Sequence, residues 1–218
     1  MKNKPRIIAF VGPDGCGKST LARIAAEEMT KHGFQAQIVW SRFNNYFSKP
    51  LLGLTRLTGH NRREVHDGAE FGYHDFQSSG WLRYPFIFLQ TIDVNIATFI
   101  KIKRAEKKTD ILVFERSPWD TLADIIVDTG CINLATNYWG RLITAQIRGC
   151  DRVFYINRSK ELILRMRPEL KYDKTLDRKI AIYSKLATTG GWLTLDNNRP
   201  LEIVKQELIK NCKVIKVD

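Results

Sequence analysis

The stretch Ile7-Ile8-Ala9-Phe10-Val11-Gly12-Pro13-Asp14-Gly15-Cys16-Gly17-Lys18-Ser19-Thr20 decides the fold. Its first five residues form an unbroken apolar run, the pattern of a strand buried on both faces. Gly12 to Ser19 then matches G-x-x-x-x-G-K-[ST]. Behind it Leu21, Ile24, Ala25 and Met29 repeat at helical spacing, and Gly33 can cap that helix. In such a strand, loop and helix, the glycines Gly12, Gly15 and Gly17 let backbone N–H groups wrap phosphates and the helix N-terminus adds positive potential. Lys18 reaches the β- and γ-phosphates and Ser19 can ligate Mg²⁺, so binding of a nucleoside triphosphate, ATP first, is the firmest expectation. Cys16 reads as a small residue at a variable position.

Outward from this unit, short apolar runs alternate with helical patterns. Strands are expected at Ile7–Val11, Ala36–Trp40, Ile111–Glu115, Val153–Asn157 and Trp192–Leu195, with Lys213–Val217 as a candidate sixth. Helices fit Trp81–Ile102, Trp119–Val127, Tyr138–Gly149, the stripe Leu176, Ile180, Tyr183, Ala187, and the Pro200-started stripe Leu201, Val204, Leu208. The expectation is an α/β fold, a doubly wound parallel five-stranded sheet with helices on both faces, in one domain over residues 1–218. Residues 42–80 show weak periodicity and read as an insertion.

The chain has 218 residues, enough for a core without staples, and 35 Lys and Arg against 23 Asp and Glu give a net charge of +12. Such an excess suits nucleic acid, anionic membrane or phosphorylated small ligands, and also a merely solubilising surface. Four scattered cysteines, Cys16, Cys131, Cys150 and Cys212, without C-x-x-C or zinc spacing, point to a reducing, cytoplasmic setting. The Met1–Arg6 start lacks a signal-peptide pattern. Trp81–Ile102 is membrane-like in hydropathy but carries Arg83, Gln90, Asp93 and Asn95, so a core helix is expected and no membrane partner. No recognition helix or aromatic-and-basic motif for nucleic acid is present.

Ile111-Leu112-Val113-Phe114-Glu115 ends an apolar strand on a carboxylate, placed to hold Mg²⁺ beside Ser19, through water. Arg116 and Ser117 follow. Together with the Gly12–Thr20 loop, the arginine-bearing helix at Arg165 and Arg167 and the Tyr-containing helix after it, these motifs resemble the thymidylate kinase family of P-loop nucleoside monophosphate kinases. Glu-Arg-Ser also resembles the deoxynucleoside kinases. The resemblance covers the chain outside 42–80.

It implies a magnesium-dependent transferase with a helical lid over 158–174. Lys18, Ser19 and Thr20 become donor-phosphate and Mg²⁺ residues, and Arg116 contacts the acceptor's phosphate and the transferring group. Asp14 sits where the family contacts the acceptor sugar. Gly15 matches the branch whose catalytic arginine comes from the lid, with Arg158, Arg165 and Arg167 as candidates; a basic solvated helix face is the plain alternative.

Where thymidylate kinases carry a thymine-reading arginine, the Trp81–Ile102 helix offers Gln90, Asp93 and Asn95. Gln90 can read a pyrimidine edge with Phe86 stacked one turn earlier, or Phe86 is core and Gln90 caps a buried group. After the second strand both families usually carry an acid, but here Trp40-Ser41-Arg42 stands, and Arg42 suits an anionic acceptor. Arg62 and Arg63 are weaker candidates; His60, His66 and His74 read as ordinary polar residues.

The leading expectation is transfer from ATP to a nucleoside monophosphate, a deoxypyrimidine monophosphate first. The alternatives are a hydroxyl acceptor (a deoxynucleoside, sugar or lipid-linked compound) and a non-enzymatic ATP-binding switch. Oligomeric state is open, a homodimer included.

Overall fold

The computed structural model describes residues 5–42 and 45–213. Five parallel strands, β1 (Arg6–Val11), β2 (Ala36–Trp40), β5 (Ile111–Arg116), β6 (Arg152–Asn157) and β7 (Leu193–Asp196), form one sheet in the order β2-β5-β1-β6-β7. Between β2 and β5 lie α2 (Lys49–Leu57), an antiparallel hairpin of β3 (Asn61–His66) and β4 (Ala69–His74), and α3 (Gly80–Ala105). The remaining helices are α1 (Lys18–Lys31), α4 (Pro118–Thr129), α5 (Tyr138–Ile143), α6 (Lys160–Met166), α7 (Leu176–Gly190) and α8 (Leu201–Lys213).

The apolar run of β1 is buried on both faces. Ile8 and Phe10 join Leu21, Ala25 and Met29 of α1 and Val204 and Leu208 of α8 in one core. On the other face Val11 joins Phe86, Leu122, Ile126 and Tyr183 beneath α3, α4 and α7, while Ile7 and Ala9 join Ile102 and Phe114. Two-sided burial makes the strand read as continuous rather than alternating hydrophobicity. The chain leaves β1 toward β2 on one side, and β6 and β7 lie on the other, so the strand order reverses at β1. The crevice at that carboxyl end is where ligands bind in open α/β sheets.

Several expected boundaries shift for local reasons. Helix α4 starts at Pro118, with Ser117 and Asp120 forming a reciprocal capping box, and stops at left-handed Gly130. The helix expected over Tyr138–Gly149 is broken: α5 ends at Ile143, the Thr144 hydroxyl donates to the Gly140 carbonyl at 3.0 Å, and a short 3₁₀ turn follows over Ala145–Ile147. Of the candidate sixth strand, Lys213 ends α8 and 214–217 lie outside the described residues.

The hairpin in the unassigned segment turns at Asp67-Gly68, both with positive φ (49° and 78°), the geometry that an Asp-Gly dipeptide favours. Helix α3 is long and apolar enough to cross a membrane by length and composition, and half of that window is buried in this fold. In the basic run at its end, Lys101 Nζ donates to the Trp40 carbonyl at 3.0 Å, and Lys103 pairs with Glu106 at 2.8 Å.

Candidate functional site

The Gly12–Ser19 loop leaves the carboxyl end of β1 and turns through Gly12, Gly15 and Gly17 at φ of 152°, 79° and 105°. A Cβ on Gly12 would lie 2.8 Å from Cys16 Sγ and 2.9 Å from the Ile156 carbonyl; one on Gly15 would lie 3.1 Å from Ile163 Cγ2 and 3.3 Å from Arg167 Cγ. The backbone conformation and the space both demand glycine. Gly17 caps α1 with no side-chain hydrogen bond and no acid in the first turn, so the leading N–H groups of Lys18, Ser19 and Thr20 have no side-chain acceptor at the cap.

Lys18 is buried, and its Nζ donates to the carbonyls of Gly12 (2.5 Å) and Pro13 (2.7 Å). Ser19 Oγ donates to Glu115 Oε1 at 2.5 Å across the crevice. This pair offers a divalent cation two oxygens, and no cluster of three or more His, Cys, Asp or Glu suited to a metal occurs among the described residues. Two oxygens from a hydroxyl and a carboxylate are a donor set of the kind Mg²⁺ takes when it keeps several waters and completes its shell from substrate phosphates. Burial pushes the Cys16 thiol above its ordinary pKa, against the opposing effect of Lys18.

Outside the motif, Asn197 braces the loop and Arg158 lies beside it. Asn197, after β7, donates from Nδ2 to the Cys16 carbonyl at 2.6 Å and from its backbone N–H to Asn157 at 2.8 Å. Arg158 Nη1 lies 3.9 Å from where a Gly17 Cβ would stand, and its buried Nε has no partner. No sequence signal singled out Asn197, because its role depends on β7 lying beyond β6.

Beside the loop opens a cavity of about 620 Å³. Asp14, Arg42 and Arg116 line it together with Ala69–Tyr73 of β4, Arg167, Glu169, Leu170, Asp173 and Lys179. Sequence reading thus named four of its residues, Asp14, Arg42, Arg116 and Arg167. It missed the β4 wall, although Asp67-Gly68 between two aromatic-bearing runs is a legible hairpin signal.

The charges are held in place by α4. Asp120, Asp124 and Asp128 recur every four residues along it. Asp124 receives Arg42 bidentately (2.8 and 3.0 Å), and Arg42 also lies 3.6 Å from Asp14. Burial opposes the Arg42 charge, but Asp124 more than offsets it and lifts the pKa above the ordinary arginine value. Arg116 bonds Asp14 and approaches Asp120 at 3.7 Å, and Asp120 accepts the Tyr183 hydroxyl at 2.9 Å. Burial and then the two aspartates raise the Tyr183 phenol well above its usual value, so it remains a donor. Lys179 pairs with Asp173 at 2.9 Å; burial would raise the Asp173 carboxyl, yet Lys179 and Thr175 together hold it below the usual range.

The segment over 158–174, expected as a helical lid, is helical only in part. Helix α6 ends at Met166, Arg167 follows it and ion-pairs with Glu169, and a 3₁₀ turn runs over Pro168–Tyr172. Arg165 is exposed on α6 and does not line the cavity. The hairpin is tied to this segment: Tyr73 donates to the Tyr172 carbonyl (3.0 Å), Tyr172 donates to Asp67 (2.9 Å), and His66 stacks on Tyr172 at 4.6 Å.

Phe86, Gln90 and Asp93 are fully buried and none lines the cavity. Phe86 packs on Phe76 at 4.6 Å. Gln90 Nε2 donates to Asn45 (2.6 Å) and Ser48 (2.9 Å). Asp93 accepts the backbone N–H groups of Tyr46, Phe47 and Ser48 at 2.8–3.1 Å and the Ser48 hydroxyl at 2.7 Å. Phe86 thus sits in the core and Gln90 donates to the turn at 45–48, and Asp93, expected as a substrate contact, is likewise buried away from the cavity. The polar intrusion in the apolar stripe anchors the 45–48 segment at the start of α2, because a buried carboxylate needs donors and this turn supplies four.

Arg62, Arg63, His60, His66 and His74 do not line the cavity. Arg63 pairs with Glu70 across the hairpin at 2.8 Å. No protein-family model matches the chain, and no curated protein matches it at a significant level.

Proposed function

We propose that the chain is a Mg²⁺-dependent phosphotransferase of the P-loop nucleoside monophosphate kinase type, moving the γ-phosphate of ATP to a small acceptor in the cavity beside Asp14 and Arg116. One observation carries the reading. Three glycines of positive φ, an uncapped α1 N-terminus, an inward Lys18 and the Ser19–Glu115 pair stand together at the point where the strand order reverses. That combination suits a polyphosphate with its cation. When bound, Mg²⁺ would neutralise charge on the phosphates, held by Ser19 and through water by Glu115. Lys18 exchanges its two carbonyl acceptors for phosphate oxygens, and Arg116 and Arg167 supply planar donors to the equatorial oxygens of a loose transition state.

For the acceptor, the sequence favours a nucleoside monophosphate. A hydroxyl acceptor is the second reading, and it is favoured by the burial of Phe86, Gln90 and Asp93 away from the cavity. The test is acceptor-stimulated ADP release together with Mg·ATP binding. Lys18→Met, which keeps the buried stem, and Arg116→Ala should each lower turnover at least a hundredfold with the melting temperature nearly unchanged. Turnover within twofold of wild type in either variant refutes the assignment.

A further inference from the structure

The cavity beside Asp14 differs from an anion site in how its charges are spent. Its four cationic lining residues each already sit on a carboxylate: Arg42 on Asp124, Arg116 on Asp14, Arg167 on Glu169 and Lys179 on Asp173. A second phosphate, carried in by the acceptor beside the one being transferred, must displace a carboxylate from its guanidinium and then face that carboxylate at close range. A hydroxyl needs no exchange, since a fixed guanidinium–carboxylate pair offers it a donor and an acceptor at once. Such pairs stand around the whole cavity, so an acceptor with a single hydroxyl on an apolar tail would leave most of them facing hydrocarbon. The apolar lining is confined to Ala69, Phe71, Tyr73 and Leu170, enough for the flat face of one small ring. The volume of about 620 Å³ lies within the usual range for small-molecule sites.

We propose that the acceptor is a sugar-like polyol, and that the hydroxyl phosphorylated is the one bound to the Asp14 carboxylate between Arg42 and Arg116. This rests on the phosphotransferase reading and names its acceptor. In the transfer, the acceptor hydroxyl gives its proton to Asp14 and its oxygen bonds the γ-phosphorus. The bond from that phosphorus to the β–γ bridging oxygen breaks, and ADP leaves with the electron pair. A phosphate monoester, ADP and a proton are the products. Asp14 belongs to the same loop as Lys18, which puts the proton acceptor next to the donor phosphates. Tyr73, fixed through its hydroxyl to Tyr172 and Lys174, forms part of the wall against the ring.

The experiment measures ADP release by the full chain with Mg·ATP against three sets of acceptors. These are free pentoses, hexoses and glycerol; the same compounds as monophosphates; and thymidine with its monophosphate. Binding of Mg·ATP alone is followed in parallel. The expected result is a free polyol raising ADP release at least tenfold over the basal rate. Asp14→Asn should lower kcat about a hundredfold while leaving the KM for ATP within about threefold. Tyr73→Ala should raise the polyol KM about tenfold without changing the KM for ATP.

Faster turnover of a phosphorylated sugar, thymidine or its monophosphate overturns the polyol assignment and leaves the phosphotransferase reading standing. Mg·ATP binding with no acceptor active in any set overturns it in the same way. Absence of both Mg·ATP binding and ADP release overturns the phosphotransferase reading itself, and the polyol assignment with it.

Discussion

Replacing Asp93 by alanine separates an anchor from a substrate contact. Its carboxylate accepts four hydrogen bonds from the 46–48 turn. Tyr46 and Phe47 lie in an exposed stretch, so water can replace the acceptor for their N–H groups. Ser48 is completely buried, so its N–H loses an acceptor that water cannot replace and its hydroxyl loses one of its partners. A hydrogen bond to a charged group contributes about 1.5–3 kcal/mol, and a stranded buried donor costs about 1–3 kcal/mol. Discounting for relaxation and for the other partners of the Ser48 hydroxyl, Asp93→Ala should cost about 3 kcal/mol.

For a domain of this size about 1 kcal/mol moves the melting temperature by ~2–4 °C, so a loss of ~6–12 °C is expected. Asp93→Asn, which keeps one acceptor oxygen, should lose about half as much. Thermal melts followed by circular dichroism give the stability, and acceptor KM is measured at a temperature where both variants are folded. KM should stay within about threefold of wild type. A melting temperature within ~2 °C of wild type combined with a tenfold rise in acceptor KM would refute the reasoning, because the carboxylate would then face a ligand.

Three other perturbations probe the neighbourhood. Gly15→Ala forces a left-handed φ on alanine and drives its Cβ against Ile163, Arg167 and Leu170; the loss, read by urea unfolding, should be about 1–2 kcal/mol from the backbone alone, with reduced turnover because Arg167 moves. Asn197→Ala removes the 2.6 Å bond to the Cys16 carbonyl and should weaken ATP binding several-fold in a titration while shifting the melting temperature by less than about 5 °C. Asp128 has its carboxyl raised by burial and then by Asp124, so the folded state holds a proton that the unfolded chain has already lost; stability is fully present below the unfolded pKa and is lost as pH rises through the folded one. Asp128→Asn should therefore raise the melting temperature at pH 8 and leave it nearly unchanged at pH 4, and an equal change at both would contradict that sign.

What the sequence determined by itself are the features that live within one turn or one strand. The apolar run Ile7–Val11 could only be satisfied by burial on two faces, which implies the parallel sheet. Gly12, Gly15 and Gly17 mark left-handed backbone where a Cβ has no room. Asp67-Gly68 is a local turn signal of the same kind, although the reading of 42–80 as an insertion passed over it. Each follows from steric and periodic rules that need no knowledge of the rest of the chain.

The tertiary structure alone decided which charged group meets which. Asp93 has the same residue type and the same helical face whether it reads a ligand or a turn, and only the return of 45–48 to α3 made it an anchor. Arg42 looked like an anion ligand until the fold set Asp124 beside it from 82 residues away. Coulombic pairing acts through space and takes no account of sequence separation, so the balance of paired charge in the cavity became visible only when β4, α4 and the Arg167–Asp173 segment were brought around one volume.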